Sequence, residues 1–136
     1  MPGETKQVTV TWEGGMRFRG GEAGGPATLV DGDNAEAPGP MLTLLLAAAA
    51  CSGADVVSIL EKMQVGLSSL RIGVAGVRRA EAPKRFLSIR FTFQLGGTGL
   101  DEPKARRAID LSLDRYCSVV HSLAPDIAVE YDLELA

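Results

Sequence analysis

The chain has 136 residues, a formal net charge of −3 and 46% hydrophobic residues. This length fits a single domain over residues 1–136, and the charge excludes the basic stripe typical of nucleic-acid binders. Glu4 and Lys6 interrupt the first dozen residues, which form no apolar run, so we expect no signal peptide. We therefore expect a cytoplasmic protein whose thiols are kept reduced.

The N-terminal part of the chain predicts a meander of three strands. Residues 7–12 alternate apolar and polar side chains, as in a half-buried strand. The alternation resumes at 16–19, which places Arg17 and Arg19 together on the outward face. Residues 27–31 form a short third strand, followed by a loop rich in turn residues.

A long apolar helix should begin at Pro40, because proline is tolerated in the first turn. Nine of the ten residues from Leu42 to Cys51 are apolar, so this half of the helix belongs in a core. The run is shorter than the roughly 20 residues that span a bilayer, so we expect no membrane segment. The helix should end near Gln64, with Gly66 as its stop. A small domain has difficulty covering such a helix alone, which favours an oligomer.

The second half of the chain predicts a hairpin, a second helix and a last strand. Alternation over 70–74 and 87–93 indicates an antiparallel hairpin with one face on a core. Asp101 is placed to cap a helix that runs to about Leu123, and residues 127–133 alternate again. The order is βββ-α-ββ-α-β, an α+β fold with two helices packed on antiparallel sheets.

The two cysteines, Cys51 and Cys117, fall on the two predicted helices beside apolar stripes. They can be inert buried residues, as most free cysteines in cores are. They can also meet where the helices pack, so that one thiol attacks a substrate and the other closes a disulfide. The residues alone leave both interpretations open.

His121 is the only histidine and follows Cys117 at helical spacing. A metal site made of Cys51, Cys117 and His121 would lack a fourth ligand, so we expect no metal and no other cofactor. A base acting on Cys117 is the other role for His121, although such a residue is more often packed or at the solvent edge.

Two arginines and one aspartate are candidates to favour or oppose the thiolate form of Cys51. Arg17 and Arg19 become relevant if their strand passes near Cys51, because a guanidinium favours the thiolate. Asp55, one turn after Cys51, would oppose that effect if its carboxylate pointed at the sulfur.

Four segments together resemble a known family. CSGADVVSIL begins at Cys51, YCSV surrounds Cys117, GGMRFRG lies near the start, and a hairpin separates the two helices. These segments and their spacing resemble the OsmC/Ohr family of osmotically induced and organic-hydroperoxide-resistance proteins. The likeness covers nearly the whole chain and is strongest to a less-characterised OsmC-like branch.

The resemblance implies an intertwined homodimer whose subunits both contribute to the sheets around the central helices. It also implies a cysteine-based peroxidase for organic hydroperoxides in the oxidative and osmotic stress response. Cys51 matches the peroxidatic cysteine and Cys117 the resolving one. The activating arginine comes from the N-terminal strands, which points first to Arg17, with Arg19 beside it. Family members are reduced by dithiols, and lipoylated proteins are the usual donor.

The chain departs from the hydroperoxide-resistance branch at the start of the first helix. In that branch a glutamate follows the helix-opening proline and holds the catalytic arginine, whereas Met41 and Leu42 stand at this place. The departure motivates a second hypothesis: a dimer of the same fold that binds a small ligand or senses redox state without turnover.

Overall fold

The computed structural model covers residues 1–136, which form two compact units, 1–44 and 45–136. Each unit contains a sheet of three strands, and the long helix begins in the first unit and continues into the second. The α+β class and the predicted order of strands and main helices are confirmed. That the two units act as one domain stays a prediction.

The N-terminal unit is an antiparallel meander of β1 (Thr9–Trp12), β2 (Arg17–Gly21) and β3 (Ala27–Asp31), as predicted. Gly14 and Gly15 turn the chain between β1 and β2 with φ of 99° and 56°, which glycine adopts without steric cost. The prediction of a half-buried first strand is wrong for the single chain. Its apolar side chains are exposed: Val8, Val10 and Trp12.

The loop after β3 is organised by the buried carboxylate of Asp31. This carboxylate accepts backbone N–H bonds from Asp33, Ala35 and Glu36 at 2.9, 3.2 and 2.9 Å. These bonds, the one from Glu36 foremost, lower the pKa of Asp31, and the charge of Arg17 adds to the effect. Asp31 thereby fixes the loop that leads into the long helix.

The long helix, α1 (Pro40–Lys62), begins at the predicted residue. It ends slightly before the expected Gln64, which adopts a left-handed φ of 61° in the turn that leaves the helix. Gly66 is not the residue that stops the helix, because it already opens the next strand.

Only one face of α1 is buried in the chain. Its members recur at spacings of three and four residues: Leu45, Ala48, Ser52, Gly53, Val56 and Leu60. Gly53 allows a close approach, since a Cβ there would lie 3.0 Å from Cδ1 of Ile72. The opposite face is open: the exposed fractions are 46% for Leu42, 56% for Leu46 and 44% for Val57. The composition predicted a helix covered on all sides, and in the single chain this prediction is wrong.

By length and apolar composition α1 also qualifies as a helix that could cross a membrane, with 28% of its most apolar window buried. This comparison concerns length and composition only, and the expectation of no membrane segment stays a prediction. The polar side chains Ser52 and Asp55 share hydrogen bonds with Ser112 of the same unit, which marks this part of α1 as a protein contact.

The second sheet consists of β4 (Gly66–Arg78), β5 (Phe86–Thr98) and β6 (Ala128–Leu135). β4 and β5 form the predicted antiparallel hairpin, whereas β6 pairs with the other edge of β5 in parallel. The parallel pairing arises because a helical segment carries the chain back before β6 begins. Phe91 and Phe93 of β5 are fully buried and stacked with centroids 5.8 Å apart, so β5 is the centre of the core.

The second helical region starts as predicted with α2 (Glu102–Leu111), whose N-cap Asp101 accepts a hydrogen bond from the Lys104 N–H at 2.9 Å. Ala105, Ala108 and Ile109 are its buried residues. The cap and the buried face together fix where this helix begins and which side meets the sheet.

The prediction of one continuous helix to Leu123 is wrong. Residues 112–116 form a π-helical turn, and Cys117 then adopts an extended conformation with φ −69° and ψ 100°. A single helical turn, α3 (Ser118–His121), follows. The interruption falls on the second cysteine.

We expect Gly76→Ala to destabilise the protein by about 1–3 kcal/mol, as overpacking does. A Cβ at this position would overlap the ring of Phe86, which is itself buried. Gly73→Ala in the same strand is the matched control, because its Cβ would meet only Thr92 Cβ at 4.0 Å. The control should change stability by less than about 0.5 kcal/mol in urea unfolding. Equal stability of the two variants would contradict this packing.

Candidate active site

The two thiols lie together in the C-terminal unit. Cys51 on α1 is partly exposed, whereas Cys117 is fully buried between the π-helical turn and α3. Both thiols are free, and Cys51 lies near enough to contribute to the raised pKa of Cys117. The sulfur of Cys117 is also 4.0 Å from the carbonyl oxygen of Ala48, which lies on α1 one turn before Cys51. The structure thus brings the two predicted cysteines into one site.

The break in the second helical region positions Cys117. Its N–H donates to the carbonyl of Ser112 at 2.7 Å, five residues earlier, where an α-helix would use the residue four earlier. Such π-turns insert one residue into a helix and are frequent at functional sites. The extra residue and the extended backbone at Cys117 turn its side chain toward α1.

The pKa of the Cys117 thiol is raised to about 11 in total, and burial is the largest cause. Cys51 and the Asp55 carboxylate contribute to this rise, because a second negative group nearby disfavours a thiolate, whereas the Val120 N–H opposes it. At neutral pH Cys117 is therefore a protonated thiol. Of the two sulfurs, Cys51 is the one that a molecule from solution can reach.

A buried chain of hydrogen bonds lies beside the thiols. Ser52 and Ser112 are fully buried with their Oγ atoms 2.9 Å apart, and Ser112 Oγ donates to Asp55 Oδ2 at 2.9 Å. Since the Ser112 hydrogen is used on the carboxylate, Ser52 is the donor between the two hydroxyls. The chain ties α1 to the start of the π-helical turn, and therefore helps to hold Cys117 against Cys51.

Sequence reasoning missed both serines of this chain. It identified Asp55 for an effect on Cys51 only, and Asp55 also contributes to the raised pKa of Cys117. Ser52 and Asp55 lie inside the segment that begins at Cys51, so their spacing was an available signal. Nothing in the sequence marks Ser112.

Arg17 and Arg19 lie on β2 of the N-terminal unit, where both have carboxylate partners. Arg17 Nε lies 3.6 Å from Glu36, and Arg19 Nε lies 3.0 Å from Glu13. Both guanidinium groups are half exposed, which leaves donors free for another partner. The role of either arginine toward Cys51 stays a prediction.

His121 is exposed and has a backbone partner of its own. Its Nε2 lies 3.1 Å from the carbonyl oxygen of Leu113, which can only accept, so Nε2 carries the proton. The shared helical face with Cys117 is lost because Cys117 is extended. No group of three or more His, Cys, Asp or Glu side chains is arranged to hold a metal ion.

The fold and the thiol pair define the class of protein. The family model for OsmC-like proteins matches residues 32–132, and the chain belongs to the OsmC family.

Individual relatives agree with this family. Protein YhfA of Escherichia coli K12 is 37% identical over 130 residues, which are 95% of this chain and 97% of YhfA. The OsmC-like protein of Mycoplasma pneumoniae has a TM-score of 0.84 at 16% identity, over 98% of both chains. OhrB of Bacillus subtilis, an organic hydroperoxide resistance protein, has a TM-score of 0.63 at 17% identity, over 96% of this chain and 98% of OhrB. The predicted OsmC-like fold is confirmed.

The buried thiol predicts a specific pH dependence of stability. The folded protein holds the Cys117 proton up to a pKa of about 11, whereas the unfolded chain releases it near 9.0. Raising the pH through this window therefore favours unfolding, by on the order of 1 kcal/mol. Urea unfolding of reduced protein at pH 8 and 10.5 should show this loss in the wild type and a smaller loss in Cys117→Ser. Identical losses in both proteins would contradict it.

Proposed function

We propose that this protein is a thiol peroxidase for organic hydroperoxides, with Cys51 as the attacking thiol and Cys117 as the resolving thiol. The observation that carries the proposal is the pairing of a partly exposed thiol with a buried, protonated one in a single site. An accessible sulfur can react with a substrate. A protected thiol beside it can then react with the oxidised sulfur.

The reaction balances with these two residues and an external dithiol. The Cys51 thiolate attacks the terminal oxygen of the hydroperoxide, the O–O bond breaks, and the alkoxide takes a proton and leaves as the alcohol. Cys51 is then a sulfenic acid. The sulfur of Cys117 displaces its hydroxyl, the Cys117 proton leaves with that hydroxyl as water, and a disulfide joins the two residues. A dithiol, such as a lipoylated protein, then reduces the disulfide by thiol–disulfide exchange.

The substrate class rests on the relatives and on the character of α1. OhrB is by name an organic hydroperoxide resistance protein, and the half of α1 that precedes Cys51 is built from Leu and Ala. An apolar approach to the sulfur favours a hydroperoxide that carries a hydrocarbon group over hydrogen peroxide.

An arginine of β2 supplies the positive charge in this proposal. A guanidinium beside a thiolate stabilises the charged sulfur and can donate to the peroxide oxygens. Arg17 is the first candidate and Arg19 the second, since they share one face of the strand and both keep unused N–H donors.

A homodimer is part of the same proposal. One face of α1 and the apolar side chains of β1 are uncovered in the single chain, and leaving them in water has a large hydrophobic cost. OsmC-family proteins are soluble bacterial proteins, which favours a second copy over lipid as the cover. We also propose a cytoplasmic location without a membrane partner, and without a nucleic-acid partner because the net charge is −3.

One observation favours a second function. α1 has no acidic residue in its first turn, so Met41 and Leu42 provide no carboxylate that could hold an arginine in place. A dimer that binds a small ligand or senses redox state, with no catalytic turnover, fits this feature. Absence of peroxide consumption by the reduced wild type would select it.

We expect Cys51→Ser to reduce cumene hydroperoxide consumption to the rate without protein, because the attacking sulfur is gone. Cys117→Ser should consume about one equivalent rapidly and then stop in the absence of added thiol. Both results come from a peroxide assay on pre-reduced protein. Unchanged turnover in Cys51→Ser would rule out the proposed chemistry.

We expect Leu46→Glu to dissociate the dimer, because a carboxylate would be placed on the uncovered face of α1, where Leu46 is 56% exposed. Sedimentation should give about twice the chain mass of 14.3 kDa for the wild type and a single chain for the variant. Lys84→Gln, which changes the charge equally in an exposed loop, is the control. A monomeric wild type at micromolar concentration would contradict the dimer.

A further inference from the structure

Ser112 links Asp55 to Cys117 through two hydrogen bonds. Its Oγ donates to Oδ2 of Asp55 at 2.9 Å, and its carbonyl oxygen accepts the Cys117 N–H at 2.7 Å. Asp55 is half-buried on α1, whereas Ser112 and Cys117 are fully buried. A side chain of α1 is therefore connected, through one intermediate residue, to the backbone that carries the second thiol.

Water cannot replace this connection, because the hydroxyl groups involved are buried. Ser52 and Ser112 are both fully buried, and no buried side-chain N or O atom of the chain lacks a hydrogen-bond partner. If Asp55 offered no acceptor, one hydroxyl of the pair would lose its acceptor in a dry site, which is more costly than the loss of an exposed hydrogen bond. The segment that carries Cys117 therefore depends on an acceptor at position 55.

The acceptor at this position does not have to be charged. The amide oxygen of an asparagine could accept the same bond from Ser112, so the carboxylate adds a negative charge that the hydrogen bond does not need. Burial is the largest cause of the raised pKa of Cys117, and the charge of Asp55 contributes to the same rise. Asp55 therefore acts on the second thiol in two ways, by holding its segment and by opposing its thiolate form.

The other ionisable groups around the second thiol are placed differently. On α1 these are Cys51 and two exposed residues of the last turn, Glu61 and Lys62. Among the buried and half-buried residues of β4, β5 and β6 only Tyr131 is ionisable, and its hydroxyl donates to a carboxylate of α2. The ionisable side chains of the thiol's own segment are exposed: Asp114, Arg115, Tyr116 and His121. The carboxylate of α1 that acts on the thiol is therefore that of Asp55.

We propose that Asp55 is a positioning residue for the resolving step, which holds Cys117 against α1 through Ser112 and sets the rate at which the disulfide with Cys51 closes. This role of Asp55 rests on the proposed roles of the two thiols. The hydrogen bond promotes closure, because it keeps the Cys117 segment beside its target. The charge slows closure, because the thiolate of Cys117 is the attacking form. Asp55 thereby lengthens the life of the oxidised Cys51.

Closure can be measured without peroxide by treating reduced, full-length protein with 2,2′-dithiodipyridine, a neutral disulfide. The Cys51 thiolate attacks one sulfur of the reagent, its S–S bond breaks, and the released sulfur takes up a proton and leaves as 2-thiopyridone. Cys117 then loses its proton and attacks the Cys51 sulfur, which releases the second 2-thiopyridone and joins the two residues in a disulfide. The absorbance of the second release gives the closure rate, and Cys117→Ser should show only the first release.

Asp55→Asn removes the charge and keeps an oxygen that can accept from Ser112. It should accelerate closure about twofold or more at neutral pH, because a larger fraction of Cys117 is then thiolate. Asp114→Asn is the matched control, since it removes the same charge from an exposed residue of the same π-helical turn. The control should close at the wild-type rate.

Ser112→Ala keeps the charge and removes the link. It should slow closure about threefold or more, because the Cys117 segment is no longer held on α1. The first release should stay at the wild-type rate, because Cys51 itself is unchanged. Urea unfolding of each variant checks that it is folded.

A direct titration separates the charge of Asp55 from a purely structural role. With isotope-labelled cysteine in a Cys51→Ser background, the Cβ chemical shift of Cys117 reports its ionisation by NMR. Cys117 should titrate at a lower pH when Asp55→Asn is added, and at an unchanged pH when Asp114→Asn is added.

The role of Asp55 is overturned if Asp55→Asn closes at the wild-type rate, if it leaves the titration of Cys117 unchanged, or if Ser112→Ala closes as fast as the wild type. Release of only one 2-thiopyridone per chain from the wild type would overturn it together with the proposed pairing of the thiols. Release of two, with the expected variant rates but no consumption of cumene hydroperoxide, would support the role of Asp55 and contradict the peroxidase alone.

Discussion

The contact between the Cys117 segment and α1 is the constraint on which the site depends. The π-helical turn at 112–116 and the extended backbone at Cys117 bring the second sulfur to the first. Neither feature is favourable by itself, since π-turns lose regular helical hydrogen bonding. They persist because burial of Cys117 and the hydrogen bonds from Ser52 through Ser112 to Asp55 hold the segment against the helix.

The same contact makes the two thiols differ in protonation and in accessibility. A buried sulfur next to a carboxylate keeps its proton, which protects Cys117 from solvent oxidants and from premature reaction. Cys51 is only partly buried and stays accessible. A division into an accessible and a protected thiol is what a two-step oxidation requires, whereas two equally exposed thiols would compete for the peroxide.

Much of the fold could be predicted from the sequence because its elements follow simple periodicities. Strands such as β5 alternate with a period of two, and Asp101 is a recognisable cap. The break before Cys117 could not be predicted, because LSLDRYCSVV has helical apolar spacing and contains no glycine or proline. It arises from tertiary contacts with α1, including that of Ser112 with Asp55. The uncovered face of α1 could not be predicted either. Composition indicates which residues must be buried, but not which part of the chain or which other molecule covers them.

The most direct test of the account is the fate of the two sulfurs after one equivalent of cumene hydroperoxide. Reduced protein would be weighed intact by mass spectrometry and then mapped with trypsin. The proposed two-thiol chemistry predicts a loss of two hydrogens and a peptide in which Cys51 is joined to Cys117. Oxygen retained on Cys51 with Cys117 still a free thiol, or no change in mass over minutes, would contradict it.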